Sequence, residues 1–337
     1  MSTAKETITA ARLSVAPMMD WTDRHCRYLH RLMSLNALLY TEMVTSPALV
    51  RGDAQRLLRF DPAEHPVAVQ LGGSDPVELA VATRICCDVG YDEVNLNIGC
   101  PSDRVQSGCF GAVLMERPEL VADCVAAMID ASTVPVTVKC RIGVDEQDPQ
   151  QVLPAFIETV HAAGVTRFTI HARKAWLQGL SPKQNRDVPP LDYDLVLQIK
   201  RDFPDLHISV NGGITTLAQA RGFLDAGLDG VMIGRAAYHT PDRILLGVDA
   251  EIFGSSDRKT TRQVVDEMRP YIEHHLAEGG RLNQITRHML GLFHGCPGAR
   301  GWRRTLSEGA HVDGAGLEVL DAALACVQDQ AQTIASA

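Results

Sequence analysis

Residues 94–115 read VNLNIGCPSDRVQSGCFGAVLM. The stretch opens on a short apolar run, bends at Gly99, presents Cys100 and Pro101, and continues as a polar loop. A short apolar run closed by Gly and Pro has the form of a buried strand entering a loop. A thiol just past such a strand is either a small core filler, the common fate of a cysteine outside disulfides, or a group placed for chemistry. The rest of the chain decides between the two.

Outward from this stretch the same form recurs. Short β-rich runs occupy residues 14–18, 37–41, 67–71, 93–97, 136–140, 167–171, 207–211 and 230–233, starting on average about 31 residues apart, the size of one βα unit. Between them, apolar residues return every three or four positions, as at 76–89, 118–129 and 217–226, which predicts helices. Alternating β and α units in this number predict an α/β fold, a closed (β/α)8 TIM barrel rather than an open doubly wound sheet. The barrel is expected over residues 13–248, after a flexible N-terminal tail at 1–12. Residues 249–261, DAEIFGSSDRKTT, read as a linker. The β signal then stops. Helical spacing at 262–277 (Val265, Met268, Ile272, Leu276) and at 317–335, with a further candidate at 281–292, predicts a small all-helical C-terminal domain over 262–337.

Composition sets the remaining bounds. At 337 residues the chain exceeds the size at which one core usually keeps growing, and 45% hydrophobic with 22% charged residues is ordinary for a globular protein. The polar N-terminus lacks a signal-peptide core, and no apolar run is long enough to span a membrane. Nine scattered cysteines with no C-x-x-C pair read as a reduced, cytoplasmic protein without disulfides or a metal site. The net charge of −9 by itself argues against a polyanionic partner. Two local basic groups run against that total: Arg281, Arg287, Arg300, Arg303 and Arg304, and Arg167, Arg173, Lys174, Lys183 and Arg186. Because salt screens charges over roughly 8 Å, such a group can act despite an acidic whole, although solvated surface charge reads the same way.

In a (β/α)8 barrel the active site lies at the C-terminal ends of the strands. In order, those ends carry Pro17-Met18-Met19, Glu42, Gln70, Asn97 with Cys100, Lys139 with Arg141, His171 with Arg173, Asn211-Gly212-Gly213, and Gly234-Arg235. Taken singly, each has a packing explanation; polar groups at nearly every end do not. The last two ends, glycines before a helix start and an arginine, fit a phosphate site in the usual place after strands seven and eight. No dinucleotide fingerprint or Walker loop is present. Lys139 with the amide of Gln70 suits a flavin, whose reduced form carries negative charge; pyridoxal phosphate on Lys139 is the competing reading.

The segments APMMDWTD (16–23), TEM (41–43), NLNIGCP (95–101), KCRIG (139–143), HAR (171–173) and NGG (211–213) resemble the tRNA-dihydrouridine synthases. The similarity runs in order from about residue 13 to 304, and the segment RKAWLQGLSPKQNRDVPPLDY after His171 resembles the A subfamily, which acts on positions 20 and 20a of the D-loop. Ser107 and Val113 depart from the pattern. The resemblance implies an FMN-dependent, NADPH-driven reduction of uridine in tRNA to dihydrouridine. Pro17, Met18, Met19, Gln70, Lys139 and His171 would surround the flavin, and Asn211, Gly212, Gly213, Gly234 and Arg235 its phosphate. Asn97, Arg141 and Arg173 would face the substrate, with Asn97 on the uracil. Lys183, Arg186, Arg300 and Arg303 would contact tRNA around its D-loop and elbow. Hydride would go to C6 of the uracil. Cys100 would donate the proton to C5, a role that suits a thiol because it is mostly protonated at neutral pH. Residues 102–111 would form a mobile loop that delivers Cys100. No membrane or obligate protein partner is expected. Two other readings stay open: an FMN enzyme acting on a free pyrimidine such as dihydroorotate or dihydrouracil, and a non-catalytic flavin-bearing tRNA chaperone.

Overall fold

The computed structural model describes residues 4–101, 110–256 and 258–328. Within it eight parallel strands close into a barrel in sequence order. They are β1 (Leu13–Val15), β2 (Leu38–Thr45), β3 (Val67–Gly72), β4 (Glu93–Ile98), β5 (Val136–Arg141), β6 (Arg167–His171), β7 (His207–Asn211) and β8 (Gly230–Ile233). β8 returns to β1 with Leu13 beside Val231. Every expected run forms a strand, shifted by at most a few residues at either end.

Helices cover the outside. Before β1 comes α1 (Ala4–Ala10). α2 (Arg24–Met33) follows β1; α3 (Ser46–Arg51) and α4 (Ala54–Leu57) follow β2; α5 (Pro76–Val89) follows β3; α6 (Pro118–Ala131) follows β4. α7 (Pro149–Ala162), α8 (Tyr193–Asp202) and α9 (Leu217–Asp225) follow β5, β6 and β7; α10 (Arg235–His239) and α11 (Pro241–Glu251) follow β8. Asp75, Asp148, Asp192 and Thr216 cap α5, α7, α8 and α9 by accepting from the first free amides. Four further helices complete the described chain: α12 (Thr261–Ala277), α13 (Leu282–Thr286), α14 (Ala299–Gly309) and α15 (Leu317–Ala325). One apolar core runs without a break from the barrel into these helices, through Leu29, Met268, Ile285 and Trp302.

Strand parity decides what lies inside. On β4 to β7 the even-register residues Val94, Leu96, Val138, Phe168, Ile170, Ile208 and Val210 join the core beneath the helices. The alternate residues Glu93, Asn95, Asn97, Thr137, Lys139, Arg167 and Thr169 are polar and turn to the barrel axis. A barrel interior is ordinarily filled by Val, Ile and Leu; here it holds a buried ion pair between Arg167 and Glu93, with Tyr40 Oη 2.6 Å and Thr137 Oγ1 2.5 Å from the same carboxylate.

Several expectations are corrected. The tail at 1–12 is helical from Ala4, and Ala10 and Ala11 pack on Leu38, Tyr40, Ala68 and Met232 inside the barrel, giving its small apolar patch a cover. The linker at 249–261 begins inside α11. Asp249 is buried and accepts from Ser34 Oγ (2.5 Å) and the Leu35 amide (2.7 Å), tying α11 to the end of α2. The candidate helix at 281–292 stops at Thr286, and the turn that follows brings Arg287 and His288 to Asp23. α14 was not expected, since ARGWRRTLSEG buries only the narrow stripe Ala299, Trp302 and Leu306. The helix expected at 317–335 ends at Ala325, and residues beyond 328 lie outside the described ones.

Candidate active site

The strand ends gather round one cavity of about 810 Å³. It is lined by residues from every quarter of the barrel, among them Pro17, Met18, Met19, Gln70, Asn97, Cys100, Lys139, Arg141, His171, Asn211, Gly212, Gly213, Gly234 and Arg235. Arg186 also lines it, from the long connection after β6. The parallel register accounts for the gathering: Asn97 lies beside Lys139, Arg141 beside His171, and His171 beside Asn211.

Cys100 is held by its own strand. Asn97 Oδ1 accepts from the amides of Gly99 (3.0 Å) and Cys100 (2.9 Å), turning the chain just past β4. The Cys100 carbonyl in turn accepts from the Ala112 amide at 2.9 Å. Asn97 Nδ2 donates to Gln70 Oε1 (2.7 Å), Gln70 Nε2 to Asn95 Oδ1 (2.8 Å), and Asn95 Nδ2 to Thr137 Oγ1 (2.8 Å). Thr137 donates to Glu93. A chain of side chains therefore connects the turn that bears Cys100 to the ion pair deep in the barrel. Asn97, expected on the substrate, has its oxygen committed to this turn and keeps one N–H for a ligand.

The cations near the thiol divide into working and structural groups. Lys139 has no hydrogen-bond partner among the described residues, and burial with the nearby charge of Arg141 lowers its pKa to about 8. Arg141, also expected on the substrate, is 4% exposed. Its Nε donates to Gly99 O (3.1 Å) and its Nη1 to Lys174 O (3.1 Å) and Asn185 O (2.9 Å). It thus fastens the cysteine turn to the long connection, and Nη2 has no hydrogen-bond partner among the described residues. Burial, and the charges of Arg141, Lys139 and Arg173, hold His171 well below the usual histidine value, so its ring is neutral. Its Nδ1 is buried with no hydrogen-bond partner among the described residues.

The glycine end is closely packed against its neighbours. Gly212 and Gly213 have φ of 112° and 69°. A side chain at Gly213 would meet Leu191 at 2.6 Å, and one at Gly212 the His171 ring at 3.2 Å. Tyr193 Oη fixes the turn by donating to Gly212 O (2.6 Å). Asn211 donates to Met232 O (2.8 Å), which joins β7 to β8. Arg173 Nε and Nη1 are buried with no hydrogen-bond partner among the described residues. Arg235 Nη1 pairs with Asp187 at 2.8 Å, both partly exposed.

The basic groups seen in the sequence are only partly surface. Arg167 belongs to the interior, and Lys174 Nζ donates to Asp145 O and Gln147 O, leaving Lys183 and Arg186 exposed from that set. In the C-terminal set, Arg287 pairs with Asp23 (2.5 Å), while Arg300, Arg303 and Arg304 are exposed on α14. The expected mobile loop lies outside the described residues as far as 109, Ser107 included; from Gly111 the chain forms a buried 3-10 turn that holds Val113 half-buried. Among the described residues no group of His, Cys, Asp or Glu could hold a metal ion, and no helix is long and apolar enough to cross a membrane.

Some of the site was not legible locally. Asn185 is fully buried and organises the long connection, bonding Trp176 N and O and Leu180 O. Trp21 lines the cavity and stacks on Tyr238 at 4.6 Å and 7°. Its place two residues past Met19, at a strand end, was the available signal.

A closed parallel barrel with a thiol, a half-buried lysine and a glycine turn at one mouth defines a (β/α)8-barrel enzyme. The family model described as dihydrouridine synthase matches residues 14–332, and the chain belongs to that family. It is 61% identical over 316 residues to the tRNA-dihydrouridine(20/20a) synthase of Shewanella oneidensis, covering 94% of this chain and 93% of that one. The proteins of that name from Vibrio vulnificus (57% over 323 residues, 95% and 98% covered) and Escherichia coli strain K12 (58% over 323 residues, 95% and 93% covered) are similar to the same extent. Among solved structures, the old yellow enzyme homologue from Zymomonas mobilis shares the fold, with a TM-score of 0.52 and 14% identity over 74% of this chain and 90% of that one.

Proposed function

We propose that this protein reduces the C5=C6 bond of uridine in the D-loop of tRNA, at positions 20 and 20a, to 5,6-dihydrouridine, in the cytoplasm, with FMN in the mouth cavity and NADPH as reductant. The observation that carries the reading is Cys100 pinned over the same cavity as Lys139, His171 and the Gly212–Gly213 turn. The residues fit the cofactor. The unpartnered Nδ1 of His171 and the unpaired ammonium of Lys139 suit the polar edge of the ring, and Met18 and Met19 its apolar body. The Gly212–Gly213 turn and Arg235 on the cavity wall, with buried Arg173 nitrogens that have no partner among the described residues, suit the phosphate.

When bound, reduced FMN supplies the hydride that C6 receives. The protein does the rest. Asn97 offers its remaining N–H to the uracil and holds Cys100 in place. The Cys100 thiol gives its proton to C5, and the thiolate left behind recovers one from solvent. Net, uridine takes up a hydride and a proton. The base must leave its stack to reach the barrel mouth, at a cost of a few kcal/mol, and Lys183, Arg186, Arg300 and Arg303 are exposed to offset that cost on backbone phosphates.

The test is to incubate purified protein with unmodified tRNA and NADPH and map dihydrouridine. Product at positions 20 and 20a supports the reading. Turnover of free uracil or dihydroorotate without tRNA product, or flavin that NADPH reduces and tRNA never reoxidises, would overturn it.

A further inference from the structure

A second cavity, of about 500 Å³, adjoins the first and shares Met19 and Met43 with it. It lies beyond the ends of β1 and β2, against α2 and α4, and four arginines line it: Arg24, Arg27, Arg56 and Arg59. Arg27 is spent on structure, with Nε donating to Glu64 Oε2 at 2.6 Å and Nη1 to Thr22 O at 2.8 Å. The other three are not. The side chains of Arg24 and Arg59 have no partner among the described residues, and Arg56 reaches Asp53 only at 4.0 Å between two exposed groups, a pair of little worth. Of the carboxylates in the lining, Asp23 is paired with Arg287 and lies within hydrogen-bond distance of the His288 ring. Glu42 makes no ion pair among the described residues and accepts from the Asp20 amide at 2.5 Å. Unpaired positive charge therefore gathers in a hollow that opens beside the reaction cavity.

Topology says what such a hollow would meet. In a ring of eight strands, β1 and β2 stand half a turn from β5 and β6. Lys183 and Arg186, on the connection after β6, thus flank the mouth on one side, and Arg24, Arg56 and Arg59 flank it on the other. A base turned into the mouth belongs to a strand that continues in both directions, and a strand that crosses the mouth meets a basic group on each side. α13 also packs against α2 on this side, which sets the C-terminal helices next to the second cavity.

Resting on the function proposed above, we propose that Arg24, Arg56 and Arg59 bind backbone phosphates of the RNA strand leaving the reaction cavity, so that the strand crosses the mouth from the β6 connection to the β1–β2 side. The sequence hid this site because the three arginines sit in ordinary mixed-charge segments and only the fold brings them to one hollow.

The test is tRNA binding by the FMN-loaded enzyme over a salt series, using wild type, Arg56→Glu/Arg59→Glu, and Arg201→Glu as a control. Arg201 lies in the last turn of α8, at the far end of the barrel. The double variant is expected to bind on the order of tenfold more weakly, with the slope of log K against log salt falling by about 0.7 for each phosphate no longer neutralised; the control should match wild type. Arg24→Gln, milder and on a different element, should shift the slope in the same direction. If wild type binds tRNA and makes dihydrouridine while the double variant keeps its affinity and slope, the inference fails and the function stands. If wild type neither binds nor modifies tRNA, the function itself fails. A raised KM for NADPH with unchanged tRNA binding would give the cavity to the nicotinamide cofactor instead, and would equally overturn the inference.

Discussion

Replacing Asn97 by Ala separates the two jobs this side chain could have. Its carboxamide makes three bonds: it accepts from the Gly99 and Cys100 amides at 3.0 and 2.9 Å and donates to Gln70 at 2.7 Å. At roughly 0.5–1.5 kcal/mol net for each bond, their loss costs about 1.5–4.5 kcal/mol. For a chain of this length that lowers Tm by about 2–6 °C, using the usual unfolding entropy per residue. The turn bearing Cys100 also loses its anchor, and a misplacement of about 1 Å at a reacting group can cost on the order of 10²-fold in rate. Asn97→Asp keeps both accepted bonds; it loses the donation to Gln70 and the N–H proposed for the uracil, the second of which is read as a raised KM for tRNA. The assays are thermal unfolding and tRNA-dependent NADPH oxidation. The Ala variant should lose both stability and kcat, and the Asp variant should recover most of the kcat. Equal kcat in the two variants would refute positioning as the role of Asn97 and leave binding of the uracil as its task. A wild-type Tm in the Ala variant would refute the bond count itself.

Cys100→Ala should leave reduction of the flavin by NADPH intact and slow product formation on tRNA by about 10²–10⁴-fold, measured in single turnover; a full rate would remove Cys100 from the chemistry. Because Lys139 loses its proton near pH 8, FMN affinity of the stripped protein should fall as pH rises through that value, and Lys139→Met should flatten the profile in a fluorescence titration. The same depressed value means that the folded form binds fewer protons than the unfolded chain between about pH 8 and 10.4, so stability of the stripped protein should rise with pH across that window. Gly213→Ala puts a methyl group 2.6 Å from Leu191 at a φ of 69°, so it should destabilise by about 1–3 kcal/mol and weaken FMN retention, read by unfolding and by flavin content after gel filtration. Glu93→Gln leaves Arg167 charged and unpaired inside the barrel and should cost about 3–5 kcal/mol in denaturant unfolding.

The barrel was legible because each βα unit writes itself locally. A strand buried on one face by helices needs an apolar residue at every second position, and a helix needs one every third or fourth, so eight units announce themselves without knowledge of their neighbours. The strand ends were legible for the same reason: Gln70, Asn97, Lys139, His171 and Asn211 break runs that packing alone would keep apolar. The family followed from those breaks in their order. What each polar residue does was not written there. Asn97 and Arg141 read as substrate contacts, and the fold gives them a second task the sequence did not show, holding the backbone of Gly99 and Cys100. Arg167 looked like part of a basic face, and strand parity sends it inward to Glu93. Asp249 sat in an apparent linker until α2 came within reach of its carboxylate. A hydrogen bond or ion pair joins groups far apart in the chain, and its existence depends on distances that closure of the barrel alone sets. So the sequence by itself determined the architecture, the family and the position of Cys100. Which charges are spent on holding the cysteine turn, and which stay without an ion pair around the mouth, came only with closure of the barrel, because that closure sets the distances between groups far apart in the chain.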